Sequence, residues 1–520
     1  MTEATPLNFP DDYSLDEANL VLNIDGSRER REGIEYEAGN ALTTTTTTTA
    51  SVGMAFFKWE FADDRASNTI GVVQVGQQLY FLDLESDSPS ANLLNGGNAQ
   101  SLSSVMATAT QHPRLSFATI NGILLVTSDE FKWAAKIKYD TATDTITLSF
   151  QNILVRDLWG VDDGLDVDER PATLSVLHEY NLLNQGWTSA NIATFGATGP
   201  SPSNADIMHL GKDSTGAWSE ATLRENFFGN SPAPKGQYII DFFDRGTGSG
   251  LINLSQNRET LSGVGVGLPD DIEGGMFSAV ATNFGRVFWG GSETSVTDGD
   301  DKSPNASSLI LFSQILEREE QIGWCYQEAD PTAEVIFDQV DSDGGFIQVP
   351  ELGKVIKMVP MQNQVIILAN NGVWSIVSVD GLFTPTSYQV NKVTSVGVAG
   401  PDSVVEVEGT IVYWSESGIY QLALDEVSQQ AQVQDVTLQT IKTFYNKIDK
   451  DAKINAKGYY DSVTKQIGWL YQSNADWDFD NYPDFCDKEL IYDLQLQAFT
   501  VNTISSKTVQ SPYVTGAVLG

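Results

Sequence analysis

The chain has 520 residues, long enough for two to four domains and a sizeable core. Its 69 acidic residues against 30 Lys and Arg give a formal charge of −39, which argues against a conventional nucleic-acid or anionic-membrane binder, because such proteins need a basic footprint. Two cysteines imply no disulfide framework, and neither a secretory signal nor an apolar run long enough to span a membrane is visible, so we expect a protein folded in a cytoplasm.

Residues 1–50 combine a predicted strand pair, at 20–24 and 34–37, with a threonine-rich arm, which fits a lining strand or a low-complexity tether. Between the two strands lie Arg28, Arg30 and Arg31, an unusual concentration of basic residues in so acidic a chain. One interpretation is a docking patch for an acidic surface on a neighbouring subunit or an adaptor. The other is a solvated hairpin loop, and the sequence leaves both open.

Residues 51–157 are predicted to form the first strands of a β-propeller. Short apolar or alternating segments are each ended by turn residues, such as Asn121-Gly122. The predicted strands lie at 71–75, 79–84, 115–120, 123–127, 134–139 and 145–150.

Residues 158–250 are predicted to be a helical insertion that docks a neighbouring subunit, an adaptor or fibres. Val176, Leu177, Tyr180 and Leu183 fall on one helical face. A second helical segment is predicted at 219–228, and a Pro-containing connector then returns the chain to strand.

Residues 251–432 are predicted to form the main blades, and the stretch 354–424 carries the clearest pattern. Its predicted strands lie at 355–359, 364–369, 373–379, 404–408, 410–414 and 419–424, and in the fourth of them Val405 and Val407 alternate with Glu406 and Glu408. Asn-Gly-Val-Trp-Ser-Ile at 371–376 is echoed by Ser-Gly-Ile-Tyr-Gln-Leu at 417–422. Their glycines lie 46 positions apart, within the range of about 40–50 residues typical of propeller blades. We therefore predict a mainly β protein with an irregular β-propeller-like body of short antiparallel strands; an antiparallel sandwich is the alternative.

Residues 433–520 are predicted to contain a helix followed by closing strands. Leu438, Ile441, Tyr445 and Ile448 recur at helical spacing, which predicts an amphipathic helix over 436–448. Because a C-terminal strand often closes a propeller against N-terminal material, we expect residues 20–37 to lie near the last strand.

The chain carries no motif for phosphate, hydrolase or zinc chemistry, so we predict that it is not an enzyme. Its three histidines have no spacing suited to metal ligation. Acidic stretches at 162–168, 341–344 and 476–481 resemble fragments of calcium loops but lack the distal glutamate of an EF-hand. Solvated acidic turns are the default interpretation, and calcium at one of them is the alternative; no other cofactor is predicted.

Two segments of the insertion give the sharpest resemblance to a known family. The first segment contributes Tyr180, Asn181, Asn184, Gln185, Gly186 and Trp187, and the second contributes Gly229, Pro232, Pro234, Lys235 and Gly236. Together they resemble the tail nozzle proteins of short-tailed bacteriophages, also called the tail tubular protein B family. The match covers most of the chain in outline, and its specific motifs lie in the insertion.

The resemblance implies a non-enzymatic virion protein, made in the host cytoplasm, that forms a homo-hexameric ring at the distal end of the tail. Such a ring would contact a tail adaptor protein, tail fibres or spikes and the host envelope, and would hold and release double-stranded DNA. The acidic composition fits a lumen that repels DNA and lets it slide. The alternative function is a host-surface glycan-binding or glycan-hydrolysing propeller, since fold does not fix function.

Overall fold

Six four-stranded antiparallel sheets follow one another along the chain and form the blades of a six-bladed β-propeller. The propeller prediction is therefore confirmed. The computed structural model describes the following residues: 18–23, 27–30, 54–60, 62, 69–85, 93–106, 113–131, 134–151, 153–156, 251–253, 277–292, 308–325, 340–379, 381–425, 429–473 and 486–504.

A short hairpin precedes the blades and consists of β1 (Leu20–Leu22) and β2 (Arg28–Arg30). Blade 1 contains β3 (Met54–Trp59), β4 (Ile70–Val75), β5 (Gln78–Asp83) and β6 (Gln100–Ser101). Blade 2 contains β7 (Ser116–Ile120), β8 (Ile123–Thr127), β9 (Ala134–Asp140) and β10 (Thr145–Gln151). Next come β11 (Leu154–Arg156) and β12 (Leu251–Asn253), which form a separate three-stranded sheet with the later β16 (Trp324–Cys325).

Blade 3 contains β13 (Phe277–Asn283), β14 (Arg286–Ser292), β15 (Leu309–Phe312) and β17 (Gly345–Gln348). Blade 4 contains β18 (Val355–Met361), β19 (Gln364–Ala369), β20 (Gly372–Ser378) and β21 (Tyr388–Thr394). Blade 5 contains β22 (Val405–Val407), β23 (Thr410–Trp414), β24 (Ile419–Leu424) and β25 (Ala431–Asp435). Blade 6 contains β26 (Lys457–Asp461), β27 (Gln466–Tyr471), β28 (Lys488–Asp493) and β29 (Ala498–Thr503).

Two short α-helices, α1 (Lys442–Asn446) and α2 (Lys450–Ile454), connect blades 5 and 6. Single 3-10 turns lie at Asn95–Gly97, Leu102–Ser104, Glu319–Gly323 and Pro401–Ser403. No helix in the described part of the chain is long and apolar enough to cross a membrane.

The second strand of a blade is buried on both faces because it packs against the blades on either side. In β8, Leu124 joins the apolar cluster between blades 1 and 2, and Leu125 joins the cluster between blades 2 and 3. In β23, Tyr413 faces blade 4, while Trp414 packs on Trp469 of blade 6. Successive side chains of a strand point to opposite faces, so these strands read as continuous apolar runs.

A recurring aspartate closes three of the hairpins. Asp140, Asp461 and Asp493 each end a strand, and one carboxylate oxygen of each accepts a hydrogen bond at 2.9 Å from the backbone N–H two residues later. In each of these hairpins, the residue just before the next strand has a left-handed backbone conformation; at Lys465, φ is 56°. The side chain thus holds the turn in the manner of an Asx turn.

The residues just before β1 contact the outermost strand of the last blade. Ala18 forms a parallel bridge with Val501, the Asn19 N–H donates to the Val501 carbonyl at 3.0 Å, and the Thr503 N–H donates to Asn19 Oδ1 at 2.9 Å. Strand β1 therefore contacts β29, as the sequence predicted for the start of the chain.

The predicted helix at 436–448 is wrong in length, because α1 begins only at Lys442. Asp435 accepts hydrogen bonds from the Thr437 backbone and hydroxyl, which holds an irregular turn where a first helical turn was expected. Leu438 is consequently 62% exposed, whereas Ile441, Tyr445 and Ile448 are buried as predicted. The predicted insertion at 158–250, the threonine run and the strand predicted at 34–37 lie outside the described residues.

Candidate functional site

A well-formed concavity in the described part of the chain lies on the propeller axis, where the first strands of neighbouring blades meet. It has a volume of about 490 Å³ and is lined by the first strands of five blades, β3, β7, β13, β18 and β22, with the residues that flank them. This volume is typical of small-molecule sites. The first strand of each blade is therefore the element that positions the side chains of this axial cavity.

Neutral polar groups around the axial cavity tie neighbouring blades together. The Val280 N–H donates to Ser116 Oγ at 3.1 Å, and Thr282 Oγ1 donates to the Thr119 carbonyl at 2.9 Å, both between blades 2 and 3. Ser278 Oγ donates to the Val355 carbonyl at 2.6 Å, between blades 3 and 4. These hydroxyls are already used in the fold.

The charged groups of the axial cavity are balanced, unlike those of the chain as a whole. The basic residues are Lys58, Arg114, Lys354 and Lys357, and the acidic ones are Glu60, Asp129, Asp402 and Glu406. Lys354 pairs with Asp129 at 2.8 Å and Lys58 pairs with Glu60 at 3.1 Å. The other four charged side chains form no ion pair within the described part of the chain.

Two of the cavity's cations are held in place by neutral acceptors. Arg114 Nη2 donates to Asn455 Oδ1 at 2.8 Å, and Lys357 Nζ lies 3.5 Å from the Val404 carbonyl. Neither contact neutralises charge. The cations remain able to bind an anion, and Asp402 and Glu406 remain able to accept hydrogen bonds.

One wall of the axial cavity is aromatic. Phe57 of β3 and Phe117 of β7 both line it and stack on each other, with ring centroids 5.0 Å apart and an interplanar angle of 13°. Both rings are partly exposed. A flat apolar surface beside charged groups suits a ligand that has one apolar face and several polar substituents.

The sequence-predicted docking arginines are only partly within the described residues. Arg28 and Arg30 were expected in the loop between two strands, but they lie exposed on β2, which pairs with β1 in the hairpin that rests on blade 6. Arg31 lies outside the described residues. So do all members of the insertion motif: Tyr180, Asn181, Asn184, Gln185, Gly186, Trp187, Gly229, Pro232, Pro234, Lys235 and Gly236.

The acidic loop at 341–344 is organised around a buried arginine. Arg286 donates to the carbonyls of Ser313 at 2.7 Å, Asp343 at 2.5 Å and Asp341. The Asp343 carboxylate accepts from the Val340 N–H at 2.9 Å. Among the described residues, no group of three or more His, Cys, Asp or Glu could hold a metal ion; the acidic stretches at 162–168 and 476–481 lie outside them.

The described cysteines do not resemble nucleophiles. Cys325 and Cys486 are both buried, and burial raises the pKa of the Cys325 thiol well above its ordinary value despite the opposing charge of Arg286. The thiol therefore stays protonated and inert.

Sequence reasoning missed the residues of the axial cavity because they come from five blades and share no motif. One signal was present: Lys354 and Lys357 stand three positions apart in a chain with more than twice as many acids as bases. Glu406 was recognised only as the polar face of an alternating strand.

No family model matches the sequence, and no curated protein matches it. Among solved structures, the chain is similar to an ancestral GH74 enzyme with 8% identity and a TM-score of 0.26, covering 87% of this chain and 57% of that one. It is also similar to Kluyveromyces lactis Hsv2 (9% identity, TM-score 0.29, covering 88% and 100%) and to Citrobacter koseri AztD (7% identity, TM-score 0.27, covering 88% and 93%). These likenesses are too weak to indicate function, and the propeller assignment stands on the six sheets themselves.

Proposed function

We propose that this chain is a structural virion protein that forms the distal nozzle ring of a short phage tail. The observation that carries the proposal is the pair of insertion motifs, centred on Tyr180–Trp187 and on 229–236, which resemble the tail tubular protein B family. In this role the protein provides and gates the channel for genome ejection and docks an adaptor and fibres. It is made in the host cytoplasm and has no catalytic activity.

The proposed conduit lies between copies of the chain and not inside one propeller. An axial cavity of about 490 Å³ has the volume of a small-molecule site and not of a passage for a DNA duplex. Six copies, each with a formal charge of −39, would surround DNA with like charge, which favours passage over binding.

The direct test is the mass and shape of the purified full chain, measured by native mass spectrometry and negative-stain electron microscopy. We expect a six-fold ring, alone or with the adaptor ring of a tail. A stable monomer that fails to join tails in reconstitution would contradict the proposal.

Deletion of residues 170–236 gives a second test of the same proposal. The blades lie outside this segment, so the deleted chain should keep its β-rich circular dichroism spectrum and lose ring or fibre attachment. If the deleted chain assembled as the full chain does, the insertion would not be the docking element.

A second candidate function is a glycan-binding or glycan-hydrolysing propeller that acts at the host surface. The axial cavity favours this candidate, because it combines an aromatic wall with carboxylates that have no ion-pair partner in the described part of the chain. Reducing-end release from host polysaccharide by a monomeric chain would support it. Hydrolysis should then be lost on Asp402→Asn and Glu406→Gln substitution.

A further inference from the structure

We propose that the axial cavity binds a small molecule that carries both a carboxylate and hydrogen-bond donors. The proposal rests on the charged groups of the cavity that form no ion pair within the described part of the chain. It does not depend on ring formation, because every residue involved belongs to a single chain.

The first step is the local charge. The chain as a whole repels anions, yet the axial cavity contains four basic side chains. Lys58 and Lys354 are neutralised by carboxylates at 3.1 and 2.8 Å. Arg114 and Lys357 make contacts only to an amide oxygen and a backbone carbonyl in the described part of the chain. An arginine fork held in this way suits a carboxylate, which it can bind through two hydrogen bonds.

The second step concerns the carboxylates contributed by blade 5, which require hydrogen-bond donors on the ligand. Asp402 and Glu406 line the same cavity and have no cation or hydrogen-bond donor as partner in the described part of the chain. Carboxylates accept hydrogen bonds and donate none. A simple anion such as phosphate would be repelled by them, so the ligand must also present hydroxyl or ammonium groups.

The third step is the apolar wall. The stacked pair Phe57 and Phe117 offers partly exposed ring surface in the same cavity as the charged groups. The ligand therefore has an apolar face as well as polar groups. Sugar acids meet these requirements through hydroxyls, and aromatic amino acids meet them through the ammonium group.

The test is isothermal titration of the full chain with two probes, D-glucuronate and L-phenylalanine, and with D-glucose as the uncharged counterpart of the first. We expect saturable binding of one acid, and affinity for glucose at least about tenfold lower. Saturation by glucuronate assigns the site to sugar acids, and saturation by phenylalanine assigns it to amino acids.

The double variant Arg114→Gln/Lys357→Gln should weaken binding of the acid by about tenfold or more. The matched control Lys392→Gln/Lys447→Gln removes the same charge from exposed lysines outside the cavity and should leave binding unchanged. Thermal melting of both variants checks that they are folded. Binding of neither acid, equal binding of glucose, or equal affinity in the two double variants would overturn the proposal.

Discussion

Arg286 shows how a single buried cation can organise an acidic loop without a metal. Its guanidinium is fully buried and lies over the rings of Phe312 and Phe383 at 5.6 and 5.7 Å. Burial lowers its pKa to about 10, with Asp343 and Asp341 opposing the shift, so the group stays charged at neutral pH. The backbone carbonyls of Ser313 and Asp343, both buried residues, and that of the exposed Asp341 accept its hydrogen bonds.

We predict that Arg286→Met lowers the free energy of unfolding by about 3–5 kcal/mol, because it removes a buried cation together with the hydrogen bonds that it donates to the carbonyls of the buried residues Ser313 and Asp343. The matched control is Arg318→Met in the same blade. Arg318 is exposed and stacks on Trp324 at 5.3 Å, so its loss should cost at most about 1 kcal/mol. Urea unfolding followed by tryptophan fluorescence measures both; equal effects would contradict the organising role of Arg286.

Asp435 links blade 5 to α1 and should make this junction sensitive to acid. Its carboxylate accepts from Lys442 Nζ at 2.6 Å and from the Thr437 hydroxyl at 2.6 Å. Burial alone would raise the pKa of Asp435, but these hydrogen bonds outweigh it and lower the pKa below the ordinary value of 3.8. Because the folded-state pKa is lowered, the stabilisation is present above the ordinary pKa and is lost as the pH falls through the folded value.

We predict that Asp435→Asn costs about 1.5–3 kcal/mol at about pH 7. The difference in stability between wild type and variant should shrink as the pH falls below 3.8. Protonation then makes the wild-type carboxyl neutral, as the amide of the variant already is. Thermal melting of both proteins across this range measures the difference. A difference that stays constant down to about pH 3 would contradict the linkage.

The aspartate-closed hairpins are the smallest repeated element of the fold. We predict that Asp461→Ala costs about 1 kcal/mol, because the Val463 N–H and the Thr464 hydroxyl lose their acceptor. Ser462 lies in the same turn with an exposed side chain, so Ser462→Ala is the matched control and should be nearly neutral. Chemical denaturation separates the two, and equal losses would mean that the turn does not depend on Asp461.

The inner strands were predicted more completely than the outermost ones: the outermost strand of blade 2 was predicted at 145–150, whereas those of blades 4 and 5 were not. Ile123–Thr127, Gln364–Ala369 and Thr410–Trp414 were predicted with their observed bounds, since burial on both faces makes them apolar at all but a terminal position. Tyr388–Thr394 and Ala431–Asp435 were missed because the outermost strand is largely solvated and carries polar side chains. The axial cavity was missed because its residues meet only when the blades close around an axis.

The N-terminal contact with blade 6 joins the two ends of the described chain. Asn19 has a left-handed backbone with φ of 56°, which asparagine tolerates better than alanine. We predict that Asn19→Ala lowers the free energy of unfolding by about 1–2 kcal/mol, because it also removes the acceptor for the Thr503 N–H. Asn23→Ala, which removes only the exposed bond to Ser27, is the control. Similar melting of the two variants would show that the N-terminal contact contributes little to stability.

The net charge of the whole molecule determines how assembly of the proposed ring should depend on ionic strength. Six copies with a formal charge of −39 each repel one another, so assembly should be favoured by salt. Raising ionic strength from about 0.01 to about 0.1 M shortens the Debye length from about 30 to about 10 Å. Analytical ultracentrifugation should therefore show a larger assembled fraction at the higher ionic strength, and a fraction that falls with salt would contradict the repulsion argument.

The exposed arginines of β2 should act against this repulsion by docking on an acidic neighbour. Arg28→Glu/Arg30→Glu should reduce the assembled fraction, and the reduction should be greatest at low salt, where charge contacts are least screened. Lys392→Glu/Lys447→Glu changes the net charge equally at exposed positions outside β2. It therefore separates the loss of a docking contact from the general increase in negative charge. Equal assembly of the two double variants would favour the solvated-hairpin interpretation of these arginines.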